Sequence, residues 1–309
     1  GLESRGLGDV YKRQQLKLYS QEDVHNTAAL YGSTVLQMCQ KPHGLWHLKK
    51  SMQALSDALE DSLKNRGVNI VFGQKVNSIN FDYVKKSWKV CASSKLEKMV
   101  YFADDVIYTP PPQSLLKHLE SPRDNTCNYK KRIQSLPDTS GALVFYSALK
   151  KEHIKVISSN HYQFVSNELG SLFVSISEEG DGRAPKGEIT LIASLFTKTN
   201  DWFSLDKHDY IKKKKEYLQK ISMVLENQFD IASENWLHKE LATPLGFERW
   251  TNRPNGIVGG LGQNPEIFGL FGLSSRTPFK GLWLCGDSIY PGEGTAGVSQ
   301  SALMVSRQI

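Results

Sequence analysis

The sequence predicts an α/β fold with a mixed or antiparallel sheet in the middle of the chain. Three observations predict it. The chain closes on an apolar strand, an acidic turn, a glycine-rich loop and a helix, at residues 281–309. Residues 51–112 have the pattern of a helix followed by short strands, and residues 113–278 contain alternating runs typical of antiparallel strands. The length of the chain allows one large core or two interleaved domains.

Composition excludes several classes of protein. The 309 residues are 39% hydrophobic, which suffices for a large core, and the net charge of +6 is only mildly basic. The densest basic run, Lys212–Lys215, lies on a predicted helix without any nucleic-acid-binding motif, so we exclude a nucleic-acid partner. Four scattered cysteines, none in a C-x-x-C pair, argue against a disulfide framework or a zinc site. No apolar run reaches the roughly 18 residues that span a bilayer, so a soluble or peripheral protein is expected.

The first 50 residues predict a helical region after an irregular start. Residues 1–14 have no apolar periodicity and begin without methionine, so we interpret them as a non-native linker. Residues 15–50 are predicted to be a helical region of the substrate domain, with a helix from Leu16 through Met38. His43 and His47 are four residues apart, but no third ligand accompanies them, so we predict no metal site.

Residues 51–112 are predicted to form one helix and several strands. Apolar residues recur every three or four positions, at Met52, Leu55, Leu59 and Leu63. This spacing predicts one buried face of a helix, and Gly67 marks its end. Short runs rich in β-branched and aromatic residues then predict strands, at residues 68–72, 74–81, 88–92, 99–102 and 105–109.

The middle of the chain is predicted to combine an antiparallel sheet with one long helix. Runs of strand-forming residues stand at 141–147, 173–177 and 189–196. The helix is predicted over residues 206–229, and its lysines face away from its apolar stripe. The stripe consists of Ile211, Leu218, Ile221 and Leu225.

The closing segment has the residue types that hold a charged cofactor. Asp287 follows the carboxyl end of the predicted strand at 281–285, and its carboxylate can accept hydrogen bonds from ribityl or ribose hydroxyls. Glycines at 292, 294 and 297 allow close approach of a ligand to the backbone. A helix begins near Thr295 and directs its unpaired N–H groups at an anion. The alternative is an ordinary strand-to-helix turn with an aspartate cap, and the motif alone does not decide between the two.

Residues 281–309 (GLWLCGDSIYPGEGTAGVSQSALMVSRQI) resemble the C-terminal FAD signature of the phytoene desaturase and carotenoid isomerase family. Their wording is most similar to that of cyanobacterial carotenoid 3',4'-desaturases. Residues 42–63 and 249–278 match the same subfamily. The resemblance implies an FAD-binding, Rossmann-like domain of the amine oxidase and phytoene desaturase type, at residues 51–112 and 279–309, interleaved with an α+β substrate-binding domain.

The resemblance also implies which residues contact FAD, namely Gly286, Asp287, Gly294, Gly297, Val298 and Val76. Asp287 would bind the ribityl chain, the start of the last helix would approach the flavin pyrimidine edge, and Val76 would offer its backbone to adenine. The family opens with a strand, a G-x-G-x-x-G turn and a helix that hold the pyrophosphate; we find no such opening, because residues 259–262 (GGLG) have the wrong spacing and no dinucleotide-binding helix after them. We therefore expect an N-terminally truncated chain that binds FAD weakly or not at all by itself.

The reaction implied is carotenoid desaturation, in which a hydride passes to flavin N5 and a proton to a base. Glu293 is the candidate base, although an exposed loop glutamate is the plainer interpretation. Arg249, Trp250, Phe268 and Phe271 are candidates to line an apolar substrate channel, although structural pairing and plain core packing explain such residues more often.

Two other functions stay open. A carotenoid cis–trans isomerase that uses reduced FAD shares the flavin signature, and a non-catalytic polyene-binding protein is the alternative from another class. A flavin amine oxidase is less favoured, because the substrate region does not resemble one. Since carotenoids dissolve in bilayers, we expect a cytoplasmic protein peripheral to the inner or thylakoid membrane, with Lys212–Lys215 assisting. Oxygen and a quinone both stay open as the electron acceptor.

Overall fold

The computed structural model describes residues 16–17, 19–22, 25–38, 48–119, 127–137, 140–155, 157–166 and 168–309. These residues fall into two compact units. The first takes in the described parts of 1–44, 71–139 and 259–309, and the second those of 45–70 and 140–258. The units interleave, but their boundaries differ from those of the predicted domains: residues 51–70 lie in the second unit, and residues 113–137 and 259–278 lie in the first.

The first unit contains two small sheets and several helices. Strands β1, β2 and β3 form an antiparallel sheet in that order, and strands β4 and β10 pair in parallel. The strands are β1 Lys75–Asp82, β2 Ser87–Ser93, β3 Lys98–Ala103, β4 Val106–Tyr108 and β10 Leu282–Leu284. Its helices, counted within the described residues, are α1 Ala29–Met38, α3 Pro112–His118, α4 Cys127–Gln134 and α8 Gly294–Ser306.

One apolar core joins the two sheets of the first unit. Trp88 of β2 is buried there and donates from its indole Nε1 to the carbonyl oxygen of Lys280 at 3.0 Å, next to β10. Side chains of β4, α3, α4 and β10 complete this core. Its fully or nearly buried members are Ile79, Trp88, Tyr108, Leu115, Ile133, Leu261, Leu273, Leu282, Leu284 and Ile289.

The second unit is built on a five-stranded antiparallel sheet of order β6-β7-β8-β5-β9. The strands are β5 Ser140–Lys150, β6 His161–Ser166, β7 Gly170–Ile176, β8 Glu188–Lys198 and β9 Trp236–Ala242. Its helices, among the described residues, are α2 Gln53–Asn65, α5 Asn200–Phe203, α6 Lys207–Phe229 and α7 Pro244–Thr251. The alternate residues of β5, β7 and β8 that face the core are buried, as the period of a strand requires, and all are apolar or glycine except Ser147, whose hydroxyl donates to the Leu191 carbonyl at 2.7 Å.

Helix α6 supplies the other side of this core. It starts where the sequence predicts, because the Asp206 side chain caps it and accepts from the Asp209 N–H at 2.8 Å. Ile221 and Leu225 are fully buried and Leu218 packs against the core, as predicted. Ile211 is 55% exposed, so its predicted place in the buried stripe is wrong.

Three other predicted elements differ from the structure. Residues 68–72 form no strand with any described residue; the Val68 N–H donates to the Leu63 carbonyl at 3.1 Å, and Phe72 is 72% exposed. Helix α2 exists and ends before Gly67, but no residue of it is buried. The predicted helix from Leu16 through Met38 is interrupted, because Gln21 has a left-handed φ of 58° and residues 25–28 lie outside any helix.

Several predictions fall outside the described residues, namely the linker at 1–14 and the pair His43 and His47. Within the described residues, no helix is both long enough and apolar enough to cross a membrane.

Candidate functional site

The carboxyl ends of β4 and β10 lie side by side in the first unit. Leu284 pairs with Tyr108, and the Cys285 N–H donates to the Tyr108 carbonyl at 3.1 Å. Gly286 follows with a φ of 129°, and a Cβ there would lie 3.1 Å from the Thr109 carbonyl oxygen. Glycine thus lets the chain turn sharply where both strands end. In open α/β sheets, ligands bind at the carboxyl ends of parallel strands.

Asp287 stands at the head of this turn. Its carboxylate Oδ1 accepts from the Ser288 hydroxyl at 3.2 Å, and its side chain is half-buried. Gly260 packs against the Asp287 backbone so closely that a Cβ would overlap the Asp287 carbonyl oxygen. The backbone that carries the Asp287 carboxylate is therefore closely packed, at Gly286 against Thr109 and at Asp287 against Gly260.

Helix α8 begins directly after the turn. Its N-cap residue, Glu293, makes no side-chain cap, so this side chain leaves the first N–H groups of the helix without an acceptor. Gly294 has a φ of 81° and open space around it. Gly297 has a packing reason to be glycine, because a Cβ would overlap the Gly292 carbonyl oxygen. Val298 is half-buried.

The Glu293 carboxylate is enclosed by the unit's own backbone and is not an exposed loop side chain. Gln21 Nε2 donates to one of its oxygens at 3.2 Å, and the Gly260 N–H donates to the other at 3.3 Å. A Cβ at Gly259, whose φ is 68°, would overlap this carboxylate. Burial, reinforced by the charge of Asp287, raises the pKa of Glu293 to about 7, although the two donors oppose that shift.

Tyr31 of α1 adds a second buried ionisable group. Its hydroxyl donates to the Tyr19 carbonyl at 2.8 Å, and its ring meets Phe268 edge to face at 5.6 Å. Burial and the negative charge of Glu293 raise the pKa of the Tyr31 phenol well above its usual value. Sequence reasoning singled out neither Tyr31 nor Gln21, and no motif marks them.

Val76 lies in β1, opposite Ala92, where the register of the sheet shifts before Ser78. It packs against the same core as the leucines of β10, so Val76 and the Asp287 turn belong to one unit. Nearby in sequence, Gln74 has a buried side-chain oxygen without a hydrogen-bond partner among the described residues.

The four candidate substrate residues are divided between the two units. Phe268 and Phe271 lie in the first unit, and Arg249 and Trp250 lie on α7 in the second. Phe271 lines a surface groove of about 380 Å³ together with Leu136, Leu261 and other residues, whereas Phe268 packs on Tyr31. Each unit thus contains two of the four candidates, and Phe271 is the one that lines the groove.

On α7, Trp250 is 81% exposed, and the Arg249 guanidinium carbon lies 5.7 Å from its ring centre. This is a surface cation–π contact. Neither residue packs into the described core of its unit, so plain core packing does not account for Trp250.

Several features of the first unit fit an FAD molecule. The turn at the two strand ends offers a carboxylate and the start of α8. The side-chain oxygens of Gln21, Gln74 and Gln113 are buried and have no hydrogen-bond partner among the described residues, and each can accept from a bound group. Residues 259–262 do not fit a phosphate-binding turn. Their glycines pack against other parts of the same unit, namely Gly259 against Glu293, Gly260 against Asp287 and Gly262 against Glu22.

The chain is similar in sequence to curated enzymes of carotenoid metabolism. It is 27% identical over 205 residues to prolycopene isomerase of Daucus carota, and this alignment covers 63% of this chain and 32% of that protein. It is 25% identical over 269 residues to the isomerase of Arabidopsis thaliana, and 24% identical over 300 residues to 4,4'-diapolycopene oxygenase of a Methylomonas species. These two alignments cover 82% and 89% of this chain, and 44% and 57% of the relatives. No protein-family model matches the chain.

Solved structures share the fold at low sequence identity. An oxidoreductase from Methanosarcina mazei superposes with a TM-score of 0.67 at 14% identity, over 96% of this chain and 64% of that one. A double mutant of putrescine oxidase gives 0.60 at 15% identity, over 96% and 63%. The predicted α/β fold class, of the FAD-dependent amine oxidase type, is confirmed.

Proposed function

We propose that this chain, a member of the carotenoid desaturase and isomerase family by sequence, carries part of the active site of an FAD-dependent oxidoreductase that acts on carotenoids. The observation that carries the proposal is the turn from Asp287 to Glu293, which stands where two parallel strands end and a helix begins. The chain spans 32% to 57% of the length of the relatives described above, so the activity is proposed for the protein that contains it.

In this proposal the first unit holds the flavin end of FAD. Asp287, with Gly286 beside it, accepts hydrogen bonds from the ribityl hydroxyls. The start of α8, from Gly294 to Val298, directs N–H groups at the electron-rich pyrimidine edge. Val76 offers backbone groups to adenine. FAD, when bound, supplies the acceptor for a hydride.

Glu293 is proposed to accept the proton. Removal of two hydrogens from adjacent carbons releases one hydride and one proton, and the double bond forms from the electrons of the second C–H bond. A base must be ionised to take that proton, and it works best when its pKa lies near the working pH. The pKa of about 7 for Glu293 meets this condition.

Within this chemistry, 3',4'-desaturation is one candidate, proposed from the resemblance of residues 249–278 and 281–309 to that subfamily. Prolycopene-type isomerisation is the second candidate, favoured by the similarity to the plant isomerases. The two differ in outcome, because desaturation lengthens the conjugated system whereas isomerisation leaves its length unchanged.

The test uses the full-length protein with FAD and a carotenoid that is acyclic at one end. Desaturation moves the absorbance to longer wavelength, isomerisation changes the band shape with little displacement, and a non-catalytic carrier leaves the product unchanged. The Glu293→Gln variant is the matched control, since it keeps the size of the side chain but cannot take a proton. Loss of desaturation in that variant, with FAD still bound, supports Glu293 as the base; wild-type activity in it contradicts that role.

Peripheral membrane binding is part of the proposal, with oxygen or a quinone as the final acceptor. Lys212 and Lys215 are exposed on α6 and are proposed to bind anionic lipid. We expect Lys212→Glu with Lys215→Glu to weaken binding to anionic vesicles at low salt. The same change at exposed Lys95 and Lys98 is the control. Vesicle binding insensitive to both salt and the α6 changes would remove this role.

A further inference from the structure

Gln21 carries two unfavourable features at once. Its φ of 58° lies in the left-handed region, which few residues other than glycine and asparagine adopt readily. Its side-chain Oε1 is buried and has no hydrogen-bond partner among the described residues. Buried unpaired acceptors and left-handed backbones both cost stability, and they concentrate where function requires them.

The other end of the same amide has a definite partner. Gln21 Nε2 donates to Glu293 Oε1 at 3.2 Å, across a sequence separation of 272 residues. Turning the amide over would place Oε1 against the carboxylate oxygen and lose this contact, so an ionised Glu293 fixes the orientation in which Oε1 stays unpaired. The orientation of the Gln21 amide is therefore explained by its donation to Glu293.

The remaining surroundings of Glu293 do not favour its charge. Asp287 is a second carboxylate that repels it, and Tyr31 on α1 is a neutral phenol at ordinary pH. Gly259 leaves no space for a side chain between the carboxylate and the backbone. The Gly260 N–H and the Gln21 amide are the two donors that oppose burial.

We propose that Gln21 is a positioning residue whose amide holds the Glu293 carboxylate in its ionised form, ready to accept a proton from the substrate. The role of Gln21 in proton transfer rests on the proposed function. The test of its effect on Glu293 does not, because it measures only the titration of Glu293. Only proline would remove the backbone donor at Gly260, and its side chain would overlap the Asp287 carbonyl oxygen, whereas the amide donor of Gln21 can be removed without that overlap. Gln21 is thus the residue through which the protein sets how readily Glu293 takes up a proton.

The test is the titration of Glu293 in this chain, without flavin or substrate. Spectra of ¹³C-labelled glutamate are recorded against pH, and Glu293→Gln identifies the signal. Gln21→Met keeps the size of the side chain and removes the donor, so the Glu293 midpoint moves upward by about one pH unit, the size expected for one hydrogen bond to a charged group. Gln113→Met removes another buried amide with an unpaired oxygen, and it leaves the midpoint in place.

A second variant guards against a failure to fold. Asparagine tolerates a left-handed φ, so Gln21→Asn suits the backbone, but its amide is one methylene shorter and loses the contact. The midpoint rises in this variant as well. An unchanged or lower midpoint in a folded Gln21→Asn or Gln21→Met protein overturns the proposal. Since no turnover is measured, this result is independent of whether the protein desaturates carotenoids.

Discussion

The carboxyl group of Glu293 lies in surroundings that penalise its charge. Burial raises its pKa from 4.5 to about 7, and the repulsion from Asp287 acts in the same direction. The folded protein therefore binds a proton at this position over a pH range in which the unfolded chain has released it. The contribution to stability is complete below about pH 4.5 and is lost as the pH rises through 7.

This linkage predicts a pH-dependent difference between wild type and Glu293→Gln. The neutral amide does not ionise, so above pH 7 we expect the variant to be more stable by up to about 3 kcal/mol, the equivalent of the pKa change. Near pH 4.5 the difference is expected to be small. Urea unfolding of both proteins at pH 4.5, 6 and 8 measures it, and parallel stability curves across that range would contradict the burial of this carboxyl.

Single residues were predictable where their neighbours in the chain are also their neighbours in space. Asp287 and Glu293 stand out because strand, turn and helix follow one another within 30 residues. Gln21 contacts Glu293 from the other end of the chain. No local sequence pattern around Gln21 predicts such a long-range contact. The sequence drew attention to Gly259 and Gly260 only through their spacing. The structure shows that a side chain at either position would overlap Glu293 or Asp287.

At the level of elements, the start of α8 depends on close backbone packing. A Cβ at Gly297 would overlap the Gly292 carbonyl oxygen, which is backbone and cannot rotate away. We expect Gly297→Ala to destabilise the protein by about 1–3 kcal/mol. Gly246 of α7 is the matched control, because a Cβ there meets nothing within 4 Å, and alanine is the better helix former.

Thermal or urea unfolding of the two alanine variants compares these helical glycines directly. The account predicts a lower midpoint for Gly297→Ala and an unchanged or higher midpoint for Gly246→Ala. Equal midpoints would show that the chain at Gly292 adapts without cost.

Strand predictions were correct where apolar and polar residues alternate clearly. They were wrong where a strand depends on a pairing partner that the local sequence does not show. Strands β5, β7 and β8 alternate buried and exposed residues, and all three were expected. The run at 68–72 has strand-forming residues, yet a strand exists only when another pairs with it, and no described residue does so here. Strands β6 and β9 were missed because many of their residues are polar or half-exposed.

For the whole molecule, the chain divides into two units built from non-contiguous segments, and their boundaries differ from those of the domains that the resemblance implies. Helix α2 belongs to the second unit although it precedes β1, and residues 259–278 belong to the first. These assignments depend on contacts between distant parts of the chain, which hydrophobic periodicity does not report. Composition and local pattern thus predict the class of fold more reliably than the division of the chain.

The same scale carries a prediction for this chain in isolation. It offers residues for the flavin end of FAD, but its G-x-G-x-x-G stretch, residues 292–297, opens the last helix and does not directly follow a strand as a pyrophosphate-binding turn does. We expect the purified chain to bind FAD weakly or not at all. Fluorescence titration with FAD measures the affinity, and tight binding would contradict this prediction.

The most direct test of the central claim is the flavin content of the full-length protein with Asp287→Ala. Asp104→Ala removes the same charge from an exposed position beside the opposite end of β4 and is the control. If the turn at the strand ends holds the flavin, the Asp287 variant binds FAD at least about tenfold more weakly, the loss expected for a charged hydrogen-bonding group, and the control binds it normally. Unchanged FAD affinity in a folded Asp287→Ala protein would contradict the account.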